Sequence, residues 1–432
     1  MWAENSVFYQ IYPLGFCGAP KENDGILINR IAKVKEWIPH LKKLNIDAIY
    51  FSTVFESDRH GYDTRDYKKI DIRLGSNQDF ADVCRALKDN GIKVVLDGVF
   101  NHVGRGFWAF QDLCMYRENS HYKDWFHLDF GRNSVYKDGF WYEGWEGHFE
   151  LVKLNLKNPE VVEYLFDCIY QWIKEFEISG LRLDVAYCLE ADFMCRLRQF
   201  CDQLKPDFFL VGEILFGDYR RIMNQEMLHS ATNYECYKGL WSSFNDLNLF
   251  EIEYACNRQF GQNGIYKEQH LLNFVDNHDV NRLASILKEE KHLPLVYALL
   301  FGMPGIPCLY YGSEWGILGE KNNGDDELRP EIMEPHWNSL TDWISNLAKL
   351  HREKKSLRYG SYKQLFLSNR QLVFIREYEG ERIVVAVNAD ENECYISPHQ
   401  GIGAVENLVS GDSVSLENGY HLPPFSAFFW QV

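Results

Sequence analysis

Four separate apolar runs in this chain end in carboxylates, and that repetition constrains the fold more than any other feature. "VVLDGVFNH" (Val94–His102), "GLRLDVA" (Gly180–Ala186), "FLVGE" (Phe209–Glu213) and "LLNFVDNHD" (Leu271–Asp279) each lead into an acid. A strand that only had to stop would use Gly, Pro or Ser at its edge. Strands that are apolar throughout are buried on both faces, as in a parallel sheet with helices packed outside it. The segments between them read as helices. Ile28, Ile31, Val34, Trp37, Ile38 and Leu41 recur at helical spacing, and "QDFADVCRALKDNG" closes on Asn90–Gly91. Asn158 as N-cap and Pro159 at the first helical position open a helix whose apolar face runs from Val162 to Phe176.

Adding "VFYQIY", "DAIYF", "IPCLYYG" and a weak sixth strand near "SATNYEC" gives about eight β/α units over roughly 350 residues, which predicts a (β/α)₈ TIM barrel. A doubly wound sheet is the alternative. The barrel is expected over residues 1–102 and 154–350. Between them the periodicity lapses, and fourteen aromatic residues fall from Phe107 to Phe149. A stretch of about fifty residues exceeds an ordinary loop, so residues 103–153 are read as an excursion subdomain after the third strand. Residues 351–432 hold short strands such as "QLVFIREYE" and "RIVVAVNA" with turn residues between them, the pattern of an antiparallel β-sandwich.

Composition narrows the partners. The net charge is −17, from 45 basic and 62 acidic residues without a basic run, which argues against nucleic acid. No apolar run reaches membrane-spanning length, and "MWAENSVFYQIYPLGF" lacks the pattern of a signal peptide. Eleven scattered cysteines without CxxC pairs read as free thiols in a reducing compartment, so a cytoplasmic protein is expected. Aromatics reach 15%, either as core mass or as stacking platforms for an uncharged ring such as a sugar. The oligomeric state stays open.

At the C-terminal ends of barrel strands, side chains from different strands converge on one mouth. Asp97, Asn101 and His102 follow the third strand, Arg182 and Asp184 end the fourth, Glu213 ends the fifth, and His278 and Asp279 follow the seventh. Each acid alone could be a cap or a salt-bridge partner; together they would ring a pocket.

These four runs resemble, in order and separation, the four motifs of the α-amylase family of glycoside hydrolases (glycoside hydrolase family 13). The closest resemblance is to its neopullulanase, cyclomaltodextrinase and maltogenic amylase group. The resemblance implies a nucleophile at Asp184, a general acid/base at Glu213 and a transition-state-stabilising acid at Asp279. It implies substrate contacts from Tyr62, Asp97, His102, Arg182, His278 and Arg329, with Tyr62 stacking on a glucose ring. No cofactor is required; Asn101 resembles a family calcium ligand, which leaves a structural calcium open. The implied activity is retaining hydrolysis of α-1,4-glucosidic bonds in maltodextrins, with α-glucan oligosaccharides as the partner. A 4-α-glucanotransferase using the same site is the first alternative, and a non-catalytic glucan-binding protein the second. Two departures stand out. The chain starts almost at its first strand, where the group carries a large N-terminal domain, so a more open mouth is expected. Tyr187 and Cys188 also replace the Asn-Glu that the group tends to carry after the nucleophile.

Overall fold

The computed structural model describes residues 1–397 and 403–432. Eight strands form one parallel sheet: β1 (Phe8–Ile11), β2 (Ala48–Phe51), β3 (Lys93–Gly98), β4 (Gly180–Leu183), β5 (Phe209–Gly212), β6 (Ser230–Ala231), β7 (Leu272–Phe274) and β8 (Ile306–Tyr310). They run in the order β6-β5-β4-β3-β2-β1-β8-β7. A parallel bridge from Thr232 to Leu272 joins the two ends, and Asn233 N donates to Leu272 O at 2.9 Å beside it. The sheet therefore closes into the expected barrel, and the doubly wound alternative, which leaves two open edges, is excluded. The sixth strand is weak in sequence because it is only two residues long.

Alternation along each strand explains the unbroken apolar runs. Phe8, Tyr50, Val95, Phe209, Val211, Phe274 and Cys308 fill the barrel interior. Their neighbours Tyr9, Ile49, Phe51, Val94, Leu96, Leu181, Leu183 and Leu210 face the surrounding helices. The period of two continues past each apolar run. Asp97 follows Val95 on the inner face, Arg182 and Asp184 follow Gly180, and Glu213 follows Val211.

One helix boundary differs from the expectation. The helix placed from Ile28 begins at Lys33. The residues before it bond to the next loop instead, with Ile31 N donating to Leu74 O at 2.9 Å. Ile28 is left 44% exposed, so its match to the helical period is accidental.

The excursion leaves and re-enters on one antiparallel pair: His102–Gly104 against His148–Lys153, with His102 opposite Lys153. Its aromatics build its own core around Phe110, which meets Phe126, Phe140 and Tyr142 edge-on.

The C-terminal region adds β9 (Ser361–Leu367), β10 (Gln371–Tyr378), β11 (Glu381–Asn388), β12 (Cys394–Ile396), β13 (Ala404–Asn407), β14 (Ser413–Ser415), β15 (Tyr420–Leu422) and β16 (Ser426–Gln431). Six of them form an antiparallel sheet in the order β9-β10-β11-β16-β13-β14, and β12 pairs with β15. The central strands are covered on both faces. Val373, Ile375, Val384, Ala386 and Trp430 pack with Ile396 and Leu422 of the two-stranded ribbon, which makes the sandwich. Phe374 and Val385 point the other way, onto the helix Leu293–Gly302.

Candidate active site

Arg182 organises the barrel mouth. This residue is 3% exposed, and its guanidinium meets three carboxylates. Nη1 donates to Asp184 Oδ1 at 2.7 Å and to Asp97 at 2.8 and 2.9 Å. Nη2 lies 2.8 Å from Glu213 Oε1. Strand register explains the convergence, because Arg182 pairs with Asp97 on β3 and with Val211, two residues before Glu213, on β5. A buried guanidinium needs this company, since removing one partner of a buried ion pair costs several kcal/mol, on the order of 3–5.

The chain turns sharply after Asp184. Val185 sits in the left-handed region at φ 40°, ψ 48°, a strain of about 1–3 kcal/mol for a β-branched residue. That turn aims its N–H at Glu213 Oε2, 3.0 Å away. The backbone after Asp184 and the Glu213 carboxylate are thereby fixed to each other.

Two histidines are held as neutral donors. Asn101 Nδ2 donates to His102 Nδ1 at 3.1 Å, so the His102 proton is on Nε2. That nitrogen has no hydrogen-bond partner among the described residues and stands 3.9 Å from Asp184 Oδ2. Gln10 Nε2 donates to His278 Nδ1 at 2.8 Å, which leaves His278 Nε2–H for Asp279 Oδ2 at 3.1 Å and for the Tyr62 hydroxyl. Burial pulls both imidazoles down to about 3. Tyr62 donates to Asp97 Oδ2 at 3.0 Å, and its ring stacks on His278 at 5.5 Å.

The acids differ in protonation. Burial pushes the Glu213 carboxyl up; Arg182 opposes it, and Asp279 and Asp97 add repulsion. From sequence, repulsion by Asp184 is the expected cause of that rise. In the structure burial leads, and Asp279 is the foremost repelling charge. Asp184 is also pushed well up by burial, against Arg182 and with Glu213. The two therefore titrate as one pair around a shared cation. Asp279 is the opposite case. Burial would raise it, but His278, Arg329 and Arg182 outweigh burial and hold it at about 2. His278 is itself neutral above about pH 3, so Arg329, with Nη2 2.9 Å from Asp279 Oδ1, is the adjacent cation that counts at neutral pH.

Tyr62, His102, Asp184, Glu213, Asp279 and Arg329 line one cavity of about 550 Å³. Asp97, Arg182 and His278 stand behind its wall at 1–3% exposure and act on it through the groups in front. Asn101 uses its Nδ2 on His102, and no cluster of three or more His, Cys, Asp or Glu among the described residues is arranged to hold a metal ion. No chemistry here is routed through a calcium ion. The cavity also carries residues that the sequence does not single out. Trp145 arrives on the excursion, Tyr234 follows β6, and His60, Lys321 and Asp325 come from long loops. Trp145 had one faint signal, the aromatic density of its segment; Lys321 had none.

The model of the α-amylase family, "Alpha amylase, catalytic domain", matches residues 10–346. This chain belongs to the α-amylase family. It is a glycosidase, a hydrolase of O-glycosyl bonds. It is 30% identical to a cyclomaltodextrinase of Thermoanaerobacter pseudethanolicus across 99% of this chain and 77% of that one. It is also 30% identical to a maltogenic α-amylase of Bacillus acidopullulyticus, across 98% and 76%. Among solved structures, the protein Ttha1563 from Thermus thermophilus superposes with a TM-score of 0.88 at 29% identity, covering all of both chains. The α-amylase catalytic domain thus spans the barrel and its excursion. No helix among the described residues is long and apolar enough to cross a membrane.

Proposed function

We propose that this glycosidase hydrolyses α-1,4-glucosidic bonds of maltodextrins in the cytoplasm, with retention, through a covalent glycosyl-enzyme. The observation that carries the reading is the bridging of Asp184 and Glu213 by one guanidinium, at 2.7 and 2.8 Å. Retaining enzymes keep their two carboxyls about 5–5.5 Å apart, whereas inverting ones leave about 6.5–9.5 Å for a water. Two acids that share one guanidinium favour the closer spacing.

Of this pair, which titrates together, Asp184 attacks the anomeric carbon as the ionised member, with Arg182 Nη1 2.7 Å from its Oδ1. Glu213, raised by burial, protonates the departing oxygen and then takes the proton from the incoming water. Asp279, ionised down to about pH 2, faces the positive charge that builds on the sugar. The unpartnered His102 Nε2–H is free for a sugar hydroxyl. Arg182 holds both reacting acids in place, and Asp97 and His278 brace Arg182 and Tyr62 from behind.

The direct test is the anomer released first from maltoheptaose, read by NMR before mutarotation. Retention gives the α-anomer, and a β-anomer appearing first contradicts the mechanism. At the cavity edge, Tyr187 meets Phe216 at 5.7 Å between ring centroids, and Phe216 is 72% exposed. That apolar rim favours a sugar acceptor enough to keep 4-α-glucan transfer as the second reading. Products longer than the substrate from pure maltotriose would establish it.

A further inference from the structure

Arg282 is a fully buried cation to which the proposed mechanism gives no role. It makes no ion pair with a carboxylate among the described residues. Its Nη1 donates to Tyr311 O at 2.6 Å and to Ser313 Oγ at 3.0 Å. Ser313 Oγ in turn donates to Asp276 Oδ2 at 2.8 Å, so the nearest counter-charge is one hydroxyl away. The guanidinium lies 3.9 Å over the Tyr310 ring. Burying a guanidinium without a direct partner is expensive, and an apolar side chain would fill the same space at lower cost. Its remaining bond indicates what the charge holds: Nη2 donates to Leu328 O at 2.8 Å.

Leu328 O is the carbonyl of the peptide that leads into Arg329. Tyr310 Oη donates to the same oxygen at 2.8 Å, so both of its lone pairs are engaged. On the far side of Arg329, Tyr311 Oη donates to Pro330 O at 2.9 Å. The Arg329 carbonyl itself is packed on Gly15, where even a Cβ would fall 2.0 Å from the oxygen. The backbone around Arg329 is therefore clamped at three successive carbonyls. Its side chain then has one productive direction, with Nε on His278 O at 3.0 Å and Nη2 on Asp279 Oδ1 at 2.9 Å.

We propose that Arg282 is a positioning residue for the reaction: with Tyr310 it fixes the Leu328–Arg329 peptide and thereby aims Arg329 at Asp279. Arg282 touches neither substrate nor reacting atoms and acts only through Arg329. The proposal rests on the role given above to Asp279, and the experiment separates the two.

The test is a double-mutant cycle on kcat/KM with Arg282→Met, Arg329→Met and the pair, each checked for folding by circular dichroism and melting. Losing a charge-assisted buried hydrogen bond that sets geometry should lower kcat/KM about 10- to 100-fold in the wild-type background. In the Arg329→Met background the same change should cost less than about threefold, because the group it aims is gone. Arg282→Lys should recover part of the loss. If Arg282→Met does not fold, Tyr310→Phe removes only the second donor to Leu328 O and is run through the same cycle, with a smaller loss expected and the same non-additivity. Equal losses in both backgrounds would show a merely structural role and overturn the proposal, as would no loss at all in a folded variant. If Arg329→Met alone leaves kcat/KM unchanged, the role of Asp279 and its cation falls first.

Discussion

Arg182 and Arg376 are both buried arginines in apolar strands, and their surroundings are opposite. Arg182, in "GLRLD", binds Asp97, Asp184 and Glu213. Arg376, in "VFIREY" of β10, is 0% exposed and among the described residues bonds only to carbonyls: Gly302 O at 2.7 Å, Gly360 O at 3.0 Å and Ser361 O at 3.2 Å. Their protonation follows. Burial works against both cations, but the acids around Arg182 raise its pKa well above the ordinary value, while Arg376 is pulled down to about 9. Arg376 ties the last turn of the helix Leu293–Gly302 and the start of β9 into the sandwich. One arginine gathers the carboxylates of the barrel mouth, and the other joins two layers of backbone. Burial alone therefore does not mark a functional charge; the partners do.

The largest effect that would sharpen this contrast is Arg182→Met. It leaves three buried acids with no cation and scatters the reacting pair, so kcat/KM should fall on the order of 10³-fold or more. A loss below about tenfold would break the contrast. Next is Tyr62→Ala, which removes a ring from the cavity wall and a donor from Asp97. We expect kcat/KM to fall about 10- to 100-fold, from one lost hydrogen bond and one lost stacking face, with melting little changed. A large drop in melting temperature with unchanged kcat/KM would place that ring in the structural class.

Arg376→Met should do the reverse of Arg182→Met. Three backbone carbonyls lose their donor, at about 1–3 kcal/mol for a buried unsatisfied group, so melting should fall by a few degrees. Activity at 25 °C should stay within about twofold, measured on protein confirmed as folded. The smallest effect is a pH dependence of stability. Glu213 and Asp184 have folded pKa values above their unfolded ones, so the native state binds more protons across that window. Stability is then greatest below the unfolded carboxylate values and declines as pH rises through the folded ones. Glu213→Gln removes part of that decline, so its melting temperature should vary less between pH 5 and pH 8 than that of wild type.

The barrel was legible because its strands are buried on both faces and each announces itself as an unbroken apolar run. Asp184 and Glu213 were legible for the same reason, since period-two alternation carries them from run to mouth; Asp279, out of phase with Phe274, was legible only through its motif. β6 was legible only weakly, because two residues are too few for any period. Two things were not legible. The helix start at Ile28 was misjudged because a tertiary bond from Ile31 to Leu74 claims the backbone first. Lys321, His60 and Arg282 sit in or beside long loops, where neither spacing nor composition says which way a side chain will face. The sequence also could not rank the charges around Glu213, because burial, its leading influence, exists only once the chain has folded.

One guanidinium holds both Asp184 and Glu213, to which we assign the proposed roles of nucleophile and proton donor, and chemical rescue tests the two roles separately. Glu213→Ala should still form the glycosyl-enzyme from an α-glucosyl or α-maltosyl fluoride, whose leaving group needs little protonation, and then stall for want of a base. Azide needs no base and should restore turnover from the vacated face, giving the α-glycosyl azide. Asp184→Ala, with no nucleophile, should give no α-azide. A β-azide from the rescued Glu213→Ala variant, or an α-azide from Asp184→Ala, would contradict the assignment.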